Sequence, residues 1–428
     1  MDVHSLLPSF PQGILITVLG LLFYALVRVI YNVFFHPLSR FPGPRGAACT
    51  RWWLAYQEIG KGLHFSRPTV YNEIYNSQNK WDKDHEYYRA FDLDESFFTQ
   101  TDYLKSKHSR ALISNLFSRR AISEIQYLIR AQLDRFCDVL KEQNAAGDIV
   151  KGIDISMPTV TLAKFSSVFV WMIRHCPPSI LMILAPSLKG VVVFRTALDA
   201  QVKSVLKNPG LLDNAPHRVM YSELLNPEAN KGLPPPTALQ LSHEARVLFA
   251  AGSHTVGTTL MTGVFYLLRN PGAKQRLVDE VRTAWPVLDE APSYEELEKL
   301  PFLAKFALRM KQTAVIKESL RIGTPTPAGL PRVVPPSGAV ISGVEIPEGT
   351  VVSQSPLFVS FSEEVFTRPY DFLPDRWLQP GSNALESWLV TFSKGPRSCL
   401  GINLAYCELY LTFAYLFRRF DVHEDLTK

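Results

Sequence analysis

Residues 392–408, FSKGPRSCLGINLAYCE, place one thiol, Cys399, between an arginine-bearing loop and a run that reads as a helix. Gly395 and Gly401 flank it, and Pro396 stiffens the approach. A cysteine that only fills space needs no such preparation. A metal ligand or nucleophile needs open approach from one side, nearby backbone N–H groups and stabilised negative charge. Glycines let the backbone turn tightly and come close to a flat ligand. The following helix points its positive end at the sulfur, which lowers the thiol pKa, and Arg397 can bind an anion beside the thiolate. Cys407 lies two turns into that helix, where packing accounts for it.

Three further constellations accompany the loop. Glu318 and Arg321 stand three residues apart and share a helix face, a spacing most often met in solvated surface pairs. Residues 371–378, DFLPDRWL, flank Arg376 with aromatics, which predicts a buried guanidinium with Glu318 as its carboxylate. Residues 250–259, AAGSHTVGTT, put Gly252 and Thr255 inside a helix. A helical glycine costs about 1 kcal/mol against alanine, and a threonine can bond back to a carbonyl and loosen the ladder. Either a notch for a small ligand and water or a close helix crossing explains this motif equally well.

Helices must position these groups. Apolar residues recur with a period near 3.6 over 118–143, which predicts an amphipathic helix. The run 241–270 is apolar nearly all round, so it is central. Helices are also expected over 271–285, opened by proline, over 313–322 and over 404–420, and Ser293 with Glu296 forms a capping box. Strand signals concentrate in 333–353. The chain is therefore mainly α with a small β region.

The 428 residues, 46% hydrophobic, can bury a large core. A net charge of +5 from 45 basic and 40 acidic residues is too dilute for nucleic acid but suits an anionic membrane surface. Five cysteines without a CxxC argue against a disulfide framework or zinc site and for a reducing compartment. From Ser5 to Val27 there is no charge, a stretch of 23 residues, enough for a helix to span a bilayer. Basic residues follow it, so the C-terminal part is expected in the cytosol. The reading is an anchor over 1–35, a proline-rich hinge over 36–46, HPLSRFPGPRG, and a catalytic domain over 47–428.

Taken together, the motifs resemble the cytochromes P450 of the membrane-bound eukaryotic class. Their order matches too: anchor, hinge, AGxxT helix, ExxR helix, PxRW loop, then FxxGxRxCxG. The wording NVFFHPLSRFPGP looks most like filamentous-fungal members acting in secondary metabolism. The resemblance implies the P450 fold, haem b and monooxygenase activity on an apolar small molecule, terpenoids among them. Cys399 would be the thiolate on haem iron, a ligation named for this family among general haem chemistry. It would be set in the loop by Phe392, Gly395 and Gly401. Arg397, with Arg332 and Arg110, would meet the haem propionates. Glu318, Arg321 and Arg376 would form a structural triad. Thr255 and His254 would deliver protons on the distal side, and Phe249, Ala251, Thr326 and Ala328 would line the substrate pocket. Electrons would come from a NADPH–cytochrome P450 reductase, and the protein would be a single-pass protein of the endoplasmic reticulum membrane, touching lipid, with its catalytic domain cytosolic.

The chain also departs from that pattern. His254 stands where the family carries an acid before the distal threonine; imidazole relays protons near neutral pH but is no fixed carboxylate. Ser106 replaces an aromatic or histidine. Residues 62–71 pass over most of the first β hairpins, a helix is missing near 161–165, and 304–312, AKFALRMKQ, reads as an insertion. The chain stops at Lys428, soon after its last helix. Two alternatives to an active monooxygenase follow: a haem-binding but impaired remnant or misassembled gene product, and a thiolate-haem isomerase that needs no external electrons.

Overall fold

The computed structural model describes Phe23, Tyr24, Val27 and residues 62–141, 189–230, 235–300, 302, 305–307, 310–312 and 314–423. The expected anchor and hinge lie outside these residues apart from the first three, which are helical. The expected missing helix near 161–165 also lies outside them. Among the described residues no helix is long and apolar enough to cross a membrane.

The unit that begins at Leu63 is helical with a small sheet. In chain order it runs β1 (Leu63–His64), α1 (Pro68–Ile74), β2 (Asp82–Lys83), α2 (Tyr103–Ile113), α3 (Arg119–Lys141), α4 (Lys189–Lys207), α5 (Ala238–Leu268), α6 (Pro271–Ala284) and α7 (Tyr294–Leu297). There follow β3 (Lys305–Ala307), β4 (Met310–Gln312), α8 (Ala314–Gly323), β5 (Arg332–Val333), β6 (Ala339–Ile341), β7 (Val344–Ile346), β8 (Val351–Ser353) and α9 (Ile402–Arg419). Each helix expected from periodicity is present within a few residues of its expected ends.

Local chemistry explains the starts. Thr237 caps α5, its Oγ1 accepting from Gln240 N–H at 3.1 Å. Asn270 caps α6 ahead of Pro271 at the first helical position. Ser293 and Glu296 exchange hydrogen bonds as a capping box at α7. Arg418 and Arg419 close α9, where cations complement the helix dipole.

Packing places α5 and α9 at the centre. α9 lies against α3, α5, α6 and α7, and α5 lies against α4 and α8. Their shared core holds Trp285, Tyr294, Phe302, Phe366, Trp377, Phe413 and Phe417, all buried. The close helix crossing is at Gly263, where an added Cβ would sit 2.5 Å from Phe413 and from Ser319 Oγ. Gly252 and Gly257 instead face open space among the described residues. Among the described residues the glycine of the AAGSHT motif therefore meets no crossing helix, and α5 runs through it without a break.

The main sheet has the order β1-β8-β5-β2, with β1 and β8 parallel and the other pairs antiparallel. So residues 62–71 do contribute a strand. The register places Lys83 opposite Arg332. Within the expected insertion, 305–307 and 310–312 pair as the antiparallel strands β3 and β4, and nearby Val315 N–H donates to Phe302 C=O at 3.4 Å.

Candidate active site

Cys399 stands at the entrance of α9, whose N-cap is Gly401. Its N–H donates to Phe392 C=O at 2.8 Å, closing the loop on itself. Gly395 has φ 72°, and a Cβ there would lie 2.4 Å from Asn76 C=O oxygen. Only glycine fits both constraints. Phe392 holds the other flank, its ring 5.5 Å from Tyr406.

The thiol of Cys399 is open to solvent on one side and ringed by protein on the others. Burial pushes its pKa up; the Gly401 N–H and the Arg110 guanidinium pull it down but do not win. The expected net lowering by the helix is thus not met in the bare protein, because loss of water outweighs the amide and the cation. Cys407 is fully buried, and burial pushes it up to about 12, as suits a packing residue.

Four cations surround this loop. Arg397 donates to Gln100 and Thr101 carbonyls, each at 2.7 Å, while its buried Nε has no partner among the described residues. Burial, then Arg332, brings Arg397 down to about 10. Arg110 donates to Ser398 C=O at 2.8 Å. Arg332, 4% exposed, reaches the Leu330 and Pro331 carbonyls at 3.1 Å and Tyr88 OH at 3.4 Å. Lys83, 6% exposed, donates to Phe98 C=O and lies over the Tyr88 ring at 4.3 Å. Burial, then Arg332, Arg397 and Arg110, hold Lys83 well below the usual lysine range.

Among the described residues none of these four forms an ion pair with a carboxylate; Asp82 is the one acid whose field reaches Arg397. Four buried or half-buried cations that meet only carbonyls and rings are costly unless an anion joins them. Lys83 escaped the sequence reading because WDKDH looks solvated. Only its register opposite Arg332 buries it.

The Glu318 group is complete. Glu318 and Arg321 have fully buried side chains and pair bidentately, at 2.8 and 3.0 Å. Arg376 Nε donates to Glu318 at 3.1 Å, Trp377 Nε1 at 2.9 Å and Leu373 N–H at 2.9 Å. Arg321 also donates to the carbonyls of Ser360 (2.7 Å), Pro369 (2.6 Å) and Asp371 (3.1 Å). The Glu318–Arg321 pair is thus not a surface pair: it fixes 360–377. Thr391 Oγ1, bonded to Leu320 C=O at 3.0 Å, joins α8 to the start of the cysteine loop.

On α5, Thr255 Oγ1 donates to Ala251 C=O at 2.7 Å, and Thr258 Oγ1 to His254 C=O at 2.9 Å. The helix continues unbroken through both. Ala251 is exposed beside the open face of Gly252, and the Phe249 ring lies 4.2 Å from Phe194. Thr326 is exposed and Ala328 half-buried on the turn after α8, where Ser355 Oγ holds Pro327 C=O at 2.6 Å. Ser106 Oγ donates to Phe97 C=O at 3.1 Å, so it serves the loop before α2. A surface cleft of about 410 Å³ lined by Glu73, Asn76, Trp81 and Val340 contains none of these residues.

The sequence pattern of the family "Cytochrome P450" matches residues 159–428. A cytochrome P450 monooxygenase flvC of Aspergillus flavus is 30% identical over 514 residues, covering 98% of this chain and 92% of its own. The ankB monooxygenase of Aspergillus thermomutatus is 30% identical over 94% of this chain and 86% of its own. The cloA monooxygenase of Claviceps purpurea is 28% identical over 97% and 91%. The flvC alignment is 514 positions long against 428 residues, so at least 514 − 428 = 86 positions are gaps in this chain. A crystal structure of a cytochrome P450 (CYP102L1) superposes with TM-score 0.63 at 17% identity, covering 83% of this chain and 81% of that one.

Proposed function

Because the chain belongs to the cytochrome P450 family, we propose that it is a haem-thiolate monooxygenase that hydroxylates or epoxidises an apolar small molecule in fungal secondary metabolism. Its cofactor is haem b with an axial cysteine thiolate. The reading is carried by one observation: the thiol of Cys399 lies in the field of Arg110, which together with Lys83, Arg332 and Arg397 forms a cluster of mutually repelling cations that pairs with no carboxylate among the described residues. An iron porphyrin brings both complements, a metal for the thiolate and two propionates for Arg397, Arg332, Arg110 and Lys83. When bound, it supplies oxygen activation and insertion of one oxygen atom.

The chain's own residues supply everything around that chemistry. The Gly401 N–H and the α9 terminus stabilise negative charge on Cys399 Sγ. Gly395 and the Phe392 carbonyl hold the sulfur on one side of the loop. Thr255 donates its hydroxyl to Ala251 C=O and would exchange that bond to hold a proton beside the bound cofactor. His254, its neighbour in the chain, is the second residue of the proposed proton delivery. Phe249 and Ala251 present apolar surface to the substrate. The relatives come from Aspergillus and Claviceps, which supports the fungal assignment. The comparisons lend no support to an inert remnant or an isomerase. Electrons from a NADPH-dependent reductase, an N-terminal membrane anchor within 1–35 and a cytosolic catalytic face at the endoplasmic reticulum complete the proposal.

The test is the reduced, carbon-monoxide-bound spectrum of the expressed protein, with Cys399→Ala as control. A thiolate-type Soret band lost in the alanine variant is expected; its absence from the wild type rejects the reading. With reductase present, Thr255→Val should divert much more of the NADPH consumed into peroxide and slow product formation by about 10²-fold or more, the size of one general acid–base contribution. Unchanged coupling would remove Thr255 from proton delivery.

A further inference from the structure

The first turns of α5 carry polar residues that the oxygen chemistry does not use. Two of them grip the segment before α2. His243 Nδ1 accepts from Glu95 N–H at 3.2 Å, and Glu244 Oε1 accepts from Phe97 N–H at 2.8 Å. The segment is knotted on itself: Ser96 N–H donates to Leu93 C=O at 2.9 Å, Ser96 and Thr99 hydroxyls bond at 2.8 Å, and Gln100 N–H donates to Ser96 C=O at 2.9 Å. The two side chains therefore hang a rigid knot on the helix.

That knot serves the cations around Cys399. Phe98 C=O receives Lys83, and Gln100 and Thr101 carbonyls receive Arg397. The Phe97 ring lies under the Arg110 guanidinium at 5.9 Å, and Arg110 in turn holds Ser398. Three of the four cations thus take their position from residues 97–101.

We propose that Glu244, with His243 beside it, is a positioning residue: it fixes segment 93–101 to α5 and through it holds Lys83, Arg110 and Arg397 ready for an anionic group beside Cys399. The purpose of the cradle rests on the function proposed above; the latch itself does not.

The environment makes the latch sensitive to pH. Glu244 is fully buried, on the helix that gives Leu241 and Val247 to the apolar cluster with Phe97 and Leu112, and its Oε2 has no partner among the described residues. Burial pushes its carboxyl up to about 8, with Phe97 N–H a weaker opposing influence. Burial, then Arg246, holds His243 down at about 4, which leaves Nδ1 free to accept. The other charged groups here are paired with one another: Arg195 with Asp92 at 3.6 Å, Arg246 with Asp199 at 3.3 Å, and Arg218 with Glu223, while Asp94 faces His243. None of them bears on Glu244 itself.

The sign follows from linkage. Released into water, Glu244 returns to 4.5, so release is favoured about tenfold per pH unit between 4.5 and about 8 and levels off above. Released His243 returns to 6.5, which favours release as pH falls from 6.5 towards 4. Below 6.5 the two trends oppose each other; from 6.5 to 8 Glu244 acts alone.

The experiment is hydrogen exchange of the 93–101 amides in the holoenzyme from pH 6.5 to 8, corrected for intrinsic exchange. Wild-type protection should fall about 30-fold over that 1.5-unit span. Glu244→Gln keeps the acceptor and cannot ionise, so its protection should stay high and flat. Glu244→Leu should be unprotected throughout and should lose haem to apomyoglobin about tenfold faster than Glu244→Gln, as loss of one bond to a charged array predicts. A Gln variant with the wild-type slope, or a Leu variant with wild-type protection, overturns the proposal. If the Leu variant does not fold, Gln against wild type decides. If no haem binds, the exchange comparison still decides the latch, and the cradle reading fails separately.

Discussion

Arg321→Lys separates charge from geometry in the Glu318 group. The substitution keeps the positive charge, so a simple ion-pair account predicts little change. The structure predicts otherwise. Arg321 makes five hydrogen bonds with three nitrogens, two to Glu318 and three to the carbonyls of Ser360, Pro369 and Asp371. A lysine has three donors on one atom and cannot span a carboxylate and three carbonyls that surround a planar fork. At least two bonds are lost in a site with no water access. At about 1.5–3 kcal/mol for each bond to a charged group, the loss is about 3–6 kcal/mol. That is a large part of a total stability of about 5–15 kcal/mol. At about 2 °C per kcal/mol for a chain of this size, the melting midpoint should drop by about 6–12 °C at fixed scan rate. The thiolate Soret band should weaken in parallel, because 360–377 and, through Leu320 and Thr391, the cysteine loop lose their fixed edge. A midpoint within 2 °C of wild type with a full Soret band would refute the geometric reading and leave charge as the relevant property.

Gly395→Ala should cost about 3 kcal/mol or more, from a left-handed alanine at about 1–2 kcal/mol plus a contact with Asn76 that only backbone movement relieves; a carbon-monoxide spectrum and melt equal to wild type would contradict it. Lys83→Met should act with opposite signs on the two forms of the protein. Without an anion, burial disfavours the charged form of Lys83 relative to the unfolded chain, so stability is reduced below the ordinary 10.5 and recovers as pH rises towards it. The methionine variant should therefore have a higher urea midpoint than wild type when haem-free, with a flatter pH profile. Its haem affinity should fall about 10- to 100-fold, the worth of one charge-assisted bond. Haem affinity equal to wild type would remove Lys83 from the cradle.

Legibility from sequence followed the range of each interaction. The cysteine loop and the Glu318–Arg321 pair were readable because their partners lie within a few residues, and DFLPDRWL announced a buried Arg376 by its aromatic company. What sequence left open was decided by contacts remote along the chain. Gly252 and Gly263 sit in the same helix, and nothing local distinguishes them. Among the described residues one meets no neighbour and the other meets Phe413, which only the crossing of α5 with α9 determines. Lys83 and Glu244 read as ordinary surface charges, flanked by Asp82, Asp84 and Arg246. They are buried by strand register and by a loop more than a hundred residues away.

These remote contacts share a physical logic. The cation ring around Cys399 is unfavourable to assemble in the bare protein, since each member is desolvated and repels the others. A fold can keep such an array only by over-determining it from outside. Arg332 is fixed by the sheet, Lys83 by pairing with it, and Arg110 and Arg397 by a loop whose own anchors, His243 and Glu244, are uncharged near neutral pH. Anchors that carried charge would add repulsion or screen the very field the ring provides. A neutral latch holding a charged cradle is the arrangement that keeps the cradle's full attraction available for an incoming anion. It also explains why the latch residues lie on α5, the helix that bears Thr255. The two residues are 255 − 244 = 11 apart, about three turns and so nearly the same face. One helix thus supports the residue proposed for proton delivery and, three turns away, the loop that orients the proposed anion site.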